Sequence, residues 1–152
     1  MEQIKQTVSS LMLSENLPIC DPETMVASAL AIMRDRHVGC VVVANESMVV
    51  GIFTERDLLR YMATHNDNLA EIAVRNLMTR NPETLGPKDC VSYAINMMVI
   101  GGYRNIPIVD NDAALVGLIT ARDVTEHLSE LLGGNSKGQQ AIGNEWQDIG
   151  GG

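Results

Sequence analysis

Two copies of one short motif carry the side chains best suited to bind a ligand. The first runs Gly51-Ile52-Phe53-Thr54-Glu55-Arg56-Asp57 and the second Gly117-Leu118-Ile119-Thr120-Ala121-Arg122-Asp123. Each copy follows an apolar, strand-like run and precedes a helix-like run, which places its threonine at the N-cap of a helix. The threonine, the arginine and the free N–H groups of the helix N-terminus would donate to an anion, and the aspartate would accept from hydroxyls. A phosphorylated ribose carries both an anionic group and neighbouring hydroxyls.

The same motif also has a purely structural interpretation. A threonine followed three residues later by an acidic residue is typical of a capping box, in which each side chain accepts a hydrogen bond from the backbone of the other. A capping box requires nothing of the residue before the aspartate, yet both copies place an arginine there, Arg56 and Arg122. The duplication favours a ligand site, and the capping box stays as the alternative.

The motif belongs to a longer internal repeat. Val74 lies 66 residues after Val8, and the apolar helix positions that begin at Val26 return 65 residues later from Val91. We align the β-branched run 40–43 with 106–109, again 66 residues apart. This alignment places a one-residue slip before the helix and its recovery after the helix.

Each copy predicts the element order β-α-β-β-α after a short helical segment. Pro22 and Pro87 are predicted at the first position of the amphipathic helix, where proline is favoured. One unit has a small sheet with helices on a single face, so two units bury their remaining apolar surface by pairing. The predicted fold class is therefore α+β (α/β), with two β-α-β-β-α repeats packed with pseudo-two-fold symmetry around a cleft.

We divide the chain into repeat 1 with its N-terminal lead-in (1–68), repeat 2 (69–132) and a flexible, glycine-rich tail (133–152). The sequence has no nucleophile elbow, phosphate-binding Walker loop or paired-carboxylate motif, so we predict no catalytic residues and no enzyme. Its three histidines and three cysteines lack the spacing of metal ligands, so we predict no metal site.

Composition narrows the class of protein further. The chain has 152 residues, 45% of them hydrophobic and 20% charged, which is typical of a globular protein. Its net charge of −8 argues against binding to nucleic acid and to anionic membrane surfaces, because both demand a basic face. No signal peptide is evident, and no apolar stretch approaches the roughly 20 residues that span a bilayer. We therefore expect a cytoplasmic protein.

The duplicated unit resembles a tandem pair of CBS domains, the regulatory unit known as a Bateman module. The resemblance is carried by residues 37–43 with the first motif and residues 103–109 with the second, and it covers roughly residues 6–132. Members of this family bind AMP, ADP, ATP, S-adenosylmethionine or no ligand. The resemblance thus implies the fold strongly and the ligand class more loosely.

The resemblance also implies roles for particular residues. The motif aspartates would contact the ribose hydroxyls, the motif threonines would lie near phosphate or ribose, and the motif arginines are further candidates for phosphate. A basic residue before the middle strand often reaches phosphate in this family, and the second copy supplies Arg104 where our alignment gives the first copy Val38. The site of repeat 2 is therefore expected to bind phosphate better. The implied ligand-binding set is Thr54, Arg56, Asp57, Thr84, Arg104, Ile106 (against the adenine), Thr120, Arg122 and Asp123.

The resemblance implies a regulatory module that senses adenine nucleotides (AMP, ADP or ATP) in the cleft and signals to a regulated partner protein. Family members pair through their helices, so a homodimer is expected, with the closing helices 58–62 and 124–132 as contacts. Two alternatives stay open. One is a module that binds S-adenosylmethionine, and the other is a dimeric interaction scaffold that binds no ligand.

Overall fold

The computed structural model describes residues 5–133, and it confirms the α+β fold with two repeats. From residue 134 onward the predicted flexible tail lies outside the described residues. The repeats share the core order α-β-β-α, each preceded by a short 3₁₀ turn at Val8–Ser10 or Val74–Asn76. The elements are β1 (Ile19–Cys20), α1 (Val26–Arg36), β2 (Cys40–Asn45), β3 (Met48–Thr54), α2 (Glu55–Met62), β4 (Thr79–Arg80), α3 (Val91–Gly101), β5 (Asn105–Val109), β6 (Leu115–Thr120) and α4 (Ala121–Leu131).

Each repeat builds a small sheet around an antiparallel hairpin. The sheet of repeat 1 has the order β1-β2-β3-β4, with β1 parallel to β2 and the other neighbours antiparallel. In repeat 2 the hairpin β5-β6 is flanked by single bridges, from Leu85 to Ile108 on one side and from Leu13 to Leu118 on the other. The two sheets therefore have equivalent arrangements, as the repeat predicts.

The chain segments that precede each repeat cross over to the other repeat. We call residues 7–13 and 71–80 the crossing segments. The second contains β4, in which Thr79 pairs with Ile52 of repeat 1. The first places Leu13 beside Leu118 of repeat 2, and the two residues exchange N–H···O bonds of 2.8 and 2.9 Å. Each repeat thus completes the sheet of the other.

Side chains alternate between two buried faces of each hairpin. One face packs on the helices: Val41 and Phe53 contact the α1 side in repeat 1. The other face packs between the two sheets and includes Cys40, Val42 and Leu118. Burial on both faces makes β2 continuously apolar, as in the interior of a layered fold.

The motif glycines make room for methionines of the crossing segments. A Cβ at Gly51 would lie 2.4 Å from the Sδ of Met78, and a Cβ at Gly117 would lie 2.5 Å from the Sδ of Met12. Real Cβ atoms do not approach so closely, so each motif begins with glycine because the other repeat's methionine fills that space.

The predicted position of the two prolines at the helix starts is wrong. Helices α1 and α3 begin at Val26 and Val91, four residues after Pro22 and Pro87. In repeat 1 the Thr24 N–H donates to the Asp21 carbonyl at 3.1 Å, which closes a turn around Pro22. The preset φ angle of proline suits such a turn as well as the first position of a helix. Here the proline therefore indicates a turn.

Candidate functional site

The strand pairing corrects the predicted correspondence between the two repeats. Cys40 lies opposite Thr54, whereas it is Asn105 that lies opposite Thr120. The backbone agrees, since Glu55 N–H donates to the Gly39 carbonyl at 3.1 Å and Ala121 N–H donates to the Arg104 carbonyl at 2.8 Å. Arg104 therefore corresponds to Gly39.

Our alignment of 40–43 with 106–109 and of Val38 with Arg104 is wrong by one residue. The hairpin accounts for the error: four residues separate the paired Ala44 and Val49, and five separate Val109 and Leu115. The extra residue of repeat 2 lies in this turn, after the strand, where a change of length is readily absorbed.

The corrected register sets an acidic side chain of repeat 1 beside the residue that corresponds to Arg104. The Glu55 carboxylate lies over Gly39, with Oε2 3.5 Å from the position that a Cβ would occupy. Burial raises the pKa of the neighbouring Cys40 thiol to about 12, and the negative charge of Glu55 adds to the rise. In repeat 2 the residue equivalent to Glu55 is Ala121, which leaves Arg104 without such a neighbour.

Both motifs form the capping box that we kept as the structural alternative. In repeat 2 the Asp123 N–H donates to Thr120 Oγ1 at 3.2 Å, and Asp123 Oδ2 accepts from the backbone N–H and the hydroxyl of Thr120 at 2.7 and 2.8 Å. Thr54 and Asp57 repeat this arrangement in repeat 1. Because each threonine hydroxyl gives its only proton to the aspartate, it can accept from a ligand but not donate while the box is closed.

The second carboxylate oxygen of each motif aspartate distinguishes the repeats. Asp57 Oδ1 accepts from the hydroxyl of Thr79 in the crossing segment at 3.2 Å. Thr79 corresponds to Leu13, because each lies in the crossing segment that pairs with the partner repeat, and leucine cannot donate. Among residues 5–133, Asp123 Oδ1 has no hydrogen-bond partner. The Oδ1 atom of Asp123 is therefore available to accept a hydrogen bond from a ligand, whereas Oδ1 of Asp57 already accepts one from Thr79.

The other residues predicted to bind a ligand differ in exposure and in their contacts. Arg104 and Arg56 are exposed, and neither has an ion-pair partner within the described residues. Arg122 donates Nε–H to Glu126 at 2.9 Å with 81% of its side chain exposed, so its guanidinium lies along the outer surface of α4. Thr84 is half-buried and directly precedes the bridge at Leu85.

Ile106 does not line the cleft. Its side chain is completely buried in the helix-facing core of repeat 2, together with Ala94 of α3 and Val124 of α4. The predicted contact with adenine is wrong, because strand alternation turns Ile106 towards the helices. Its neighbours Asn105 and Pro107 belong to the opposite face of β5, which is turned towards the other sheet.

A cavity of about 570 Å³ opens on repeat 1, beside the start of β2. This volume falls within the usual range of small-molecule pockets. Arg36, at the end of α1, donates to the carbonyl of Leu17 at 3.0 Å and also to the carbonyl of Asn16. Nothing in the sequence pattern marked Arg36, because its contact spans a loop of irregular backbone. The cavity is lined by Leu13, Glu15, Asn16, Pro18, Arg36 and Val38.

The sequence profile of the CBS domain matches residues 8–64 and 74–130. The chain belongs to the CBS domain family. An uncharacterised protein, MK0525 of Methanopyrus kandleri, is 35% identical over 95 residues, covering 62% of this chain and 48% of that protein. The arabinose 5-phosphate isomerase KdsD of Francisella tularensis is 28% identical over 108 residues, covering 71% of this chain and 33% of the isomerase. The chain thus spans one third to one half of the length of these relatives.

Solved CBS structures share the fold. CBSX2 of Arabidopsis thaliana in complex with AMP superposes with a TM-score of 0.73 at 23% identity, covering 82% of this CBS chain and 97% of that chain. The CBS pair of MJ0100, in complex with 5-methylthioadenosine and S-adenosyl-L-methionine, has a TM-score of 0.71 at 19% identity and covers 80% and 98%. At these identities the likeness establishes the architecture, including the paired arrangement of the two repeats.

The helices of this CBS pair are short. Within residues 5–133, none of them combines the length and the apolar character that crossing a membrane requires.

Proposed function

We propose that this CBS pair is a regulatory module that binds an adenine nucleotide (AMP, ADP or ATP) in the repeat 2 half of the cleft. The observation that carries the proposal is the Asp123 carboxylate, whose Oδ2 is held by the helix cap and whose Oδ1 has no partner among the described residues. A fixed carboxylate oxygen of this kind accepts hydrogen bonds from neighbouring hydroxyls, which a ribose provides.

The charge around this half suits a phosphate. Arg104 contributes a guanidinium directly before β5, and its carbonyl is bonded to Ala121 at the first position of α4. The positive end of the helix dipole therefore lies beside the backbone of Arg104. The AMP complex of CBSX2 supports an adenosyl ligand for the same architecture.

We propose a non-enzymatic role for the module. The motif aspartates and threonines are committed to one another in capping boxes, which leaves them suited to hold a ligand and poorly placed to move protons. Ligand binding would then act on a partner protein by favouring one arrangement of the pair, to the extent that the ligand binds the two arrangements differently.

The outer helices of repeat 2 support association into a homodimer. Val99 and Ile100 of α3 are 77% and 79% exposed, and Leu132 after α4 is 87% exposed. In repeat 1, Leu59 and Met62 of α2 are 68% and 54% exposed, whereas the end of α1 carries Arg34 and Asp35 on its surface. Exposed apolar side chains on these helices favour burial against a second copy of the chain.

A screen of thermal unfolding tests the proposal against its alternatives. The protein is heated with AMP, ADP, ATP, S-adenosylmethionine, GMP or adenosine at about 100 times the dissociation constant, which adds about 2.7 kcal/mol to the free energy of unfolding. The midpoint is expected to rise by several degrees with adenylates and not with GMP. A cooperative transition that no ligand shifts would instead support the ligand-free scaffold, for which the capping boxes alone explain the motif.

A further inference from the structure

The two halves of the cleft differ in charge beside the start of the middle strand. Repeat 2 combines Arg104 with Ala121, and repeat 1 combines Gly39 with Glu55. The Glu55 carboxylate lies in ordinary van der Waals contact with the position that a Cβ at Gly39 would occupy, with Oε2 at 3.5 Å. Each pair therefore carries one charge, positive in repeat 2 and negative in repeat 1.

The surroundings of Glu55 do not neutralise it. Within residues 5–133 its carboxylate has no hydrogen-bond or ion-pair partner. Arg36 borders the cavity of this half, but its guanidinium is held by two backbone carbonyls and shares the cavity with Glu15. Arg56 is exposed and does not pair with Glu55.

We infer that Glu55 is a specificity-determining residue, which excludes phosphate from the repeat 1 half of the cleft and leaves that half to an uncharged or cationic adenosyl compound. A phosphate bound beside Gly39, the counterpart of Arg104, would lie close to the Glu55 carboxylate, and like charges repel each other. A cationic group in the same place would be attracted. This inference rests on the proposed binding of adenine nucleotides by repeat 2.

A merely structural role for Glu55 makes a different prediction. An acidic residue in the first turn stabilises its helix through the dipole, so its replacement would lower the melting temperature and leave ligand selection unchanged. The decisive measurement is therefore the stoichiometry and affinity of ligand binding, with the melting temperature as a separate readout.

The chain offers a matched pair of charge-swap variants. Gly39→Arg/Glu55→Ala gives repeat 1 the residues of repeat 2, and Arg104→Gly/Ala121→Glu makes the reverse exchange. The first swap is sterically reasonable, because the three atoms nearest to a Cβ at Gly39, at 3.5, 3.6 and 4.0 Å, all belong to Glu55. Isothermal titration calorimetry with AMP and with S-adenosylmethionine measures each variant.

The expected results follow from the charges. The wild-type chain binds one AMP, the Gly39→Arg/Glu55→Ala variant binds two, and the Arg104→Gly/Ala121→Glu variant binds none. S-adenosylmethionine binds the wild-type chain when repeat 2 is saturated with AMP, and Glu55→Ala weakens that binding at least tenfold, equivalent to about 1.4 kcal/mol. If the double variant does not fold, Glu55→Gln removes the charge at constant size and is expected to raise the AMP affinity of repeat 1 at least tenfold.

Three results would overturn the role of Glu55. They are two equivalent AMP sites in the wild-type chain, a single AMP site in a folded charge-swap variant, and no binding of S-adenosylmethionine to the AMP-saturated protein. Failure of the wild-type chain to bind any AMP would instead refute the proposed function, so the two failures are distinguishable.

Discussion

Of the two motif aspartates, one is expected to matter more for stability and the other more for ligand affinity. Asp57 holds three hydrogen bonds, two from Thr54 and one from Thr79 of the crossing segment. Asp123 holds two, both from Thr120. Asp57→Ala should therefore cost more stability, and Asp123→Ala should cost more affinity for AMP.

The magnitudes follow from these contacts. Loss of the capping box is expected to lower the free energy of unfolding by about 1–2 kcal/mol in either variant. Asp57→Ala also leaves the Thr79 hydroxyl without its acceptor, which adds about 1 kcal/mol, or roughly 3 °C in the melting midpoint. Asp123→Ala removes the acceptor of the ribose hydroxyls, a loss of about 1.5–3 kcal/mol in binding, or roughly 10- to 150-fold in Kd.

Urea denaturation and calorimetric titration with AMP measure the two effects on the same preparations. Each variant serves as the control of the other, since both lose an equivalent capping box. The reasoning fails if both assays rank the two variants in the same order, or if the variants lose AMP affinity equally.

Three further outcomes are expected. Gly117→Ala should lower the free energy of unfolding by about 1–3 kcal/mol in urea, because its Cβ would meet Met12 Sδ at 2.5 Å; an unchanged denaturation midpoint would contradict this. At pH 8 a thiol reagent should modify Cys90 first, because hydrogen bonds from Ser92 lower the pKa of its thiol. The reagent should modify Cys40 only on unfolding, because burial raises the pKa of that thiol to about 12. Mass spectrometry of the labelled peptides measures the order of modification. Ile100→Glu should convert a dimer into a monomer in analytical ultracentrifugation, whereas a dimer that survives would place the interface elsewhere.

The sequence predicts the fold well because the two repeats reinforce each other. A single β-α-β-β-α pattern is ambiguous, but its recurrence after 65 or 66 residues fixes the order of elements from β1 to α4. The motif threonines are also predicted correctly as helix N-caps, since strand and helix periodicities meet there.

The register of the repeat is not predictable from the pattern of β2. Residues 40–44 are all buried, so apolar residues occupy every position and no alternation of polar side chains fixes the alignment. Sliding the alignment by one residue therefore leaves the pattern unchanged, and Val38 takes the place of Gly39. Only the strand pairing of β2 with β3 and of β5 with β6 distinguishes the two alignments.

The contact between Thr79 and Asp57 is unpredictable for a different reason. The two residues lie 22 positions apart and belong to different repeats. They meet because the crossing segment of repeat 2 joins the sheet of repeat 1, and an exposed threonine on a two-residue strand gives no periodic signal. The difference between the two motif aspartates thus arises from tertiary structure.

The crossing segments have a consequence for how such a chain can arise and unfold. Because Leu13 completes the sheet of repeat 2 and Thr79 that of repeat 1, an isolated repeat would expose a strand edge where its partner's segment belongs. A one-repeat ancestor would satisfy that edge by exchanging segments between two chains, as in a domain-swapped dimer. Fusion of two such units makes the exchange intramolecular, at a high effective concentration. The fused chain then behaves as a single cooperative unit, in which neither half can open without exposing an edge of the other.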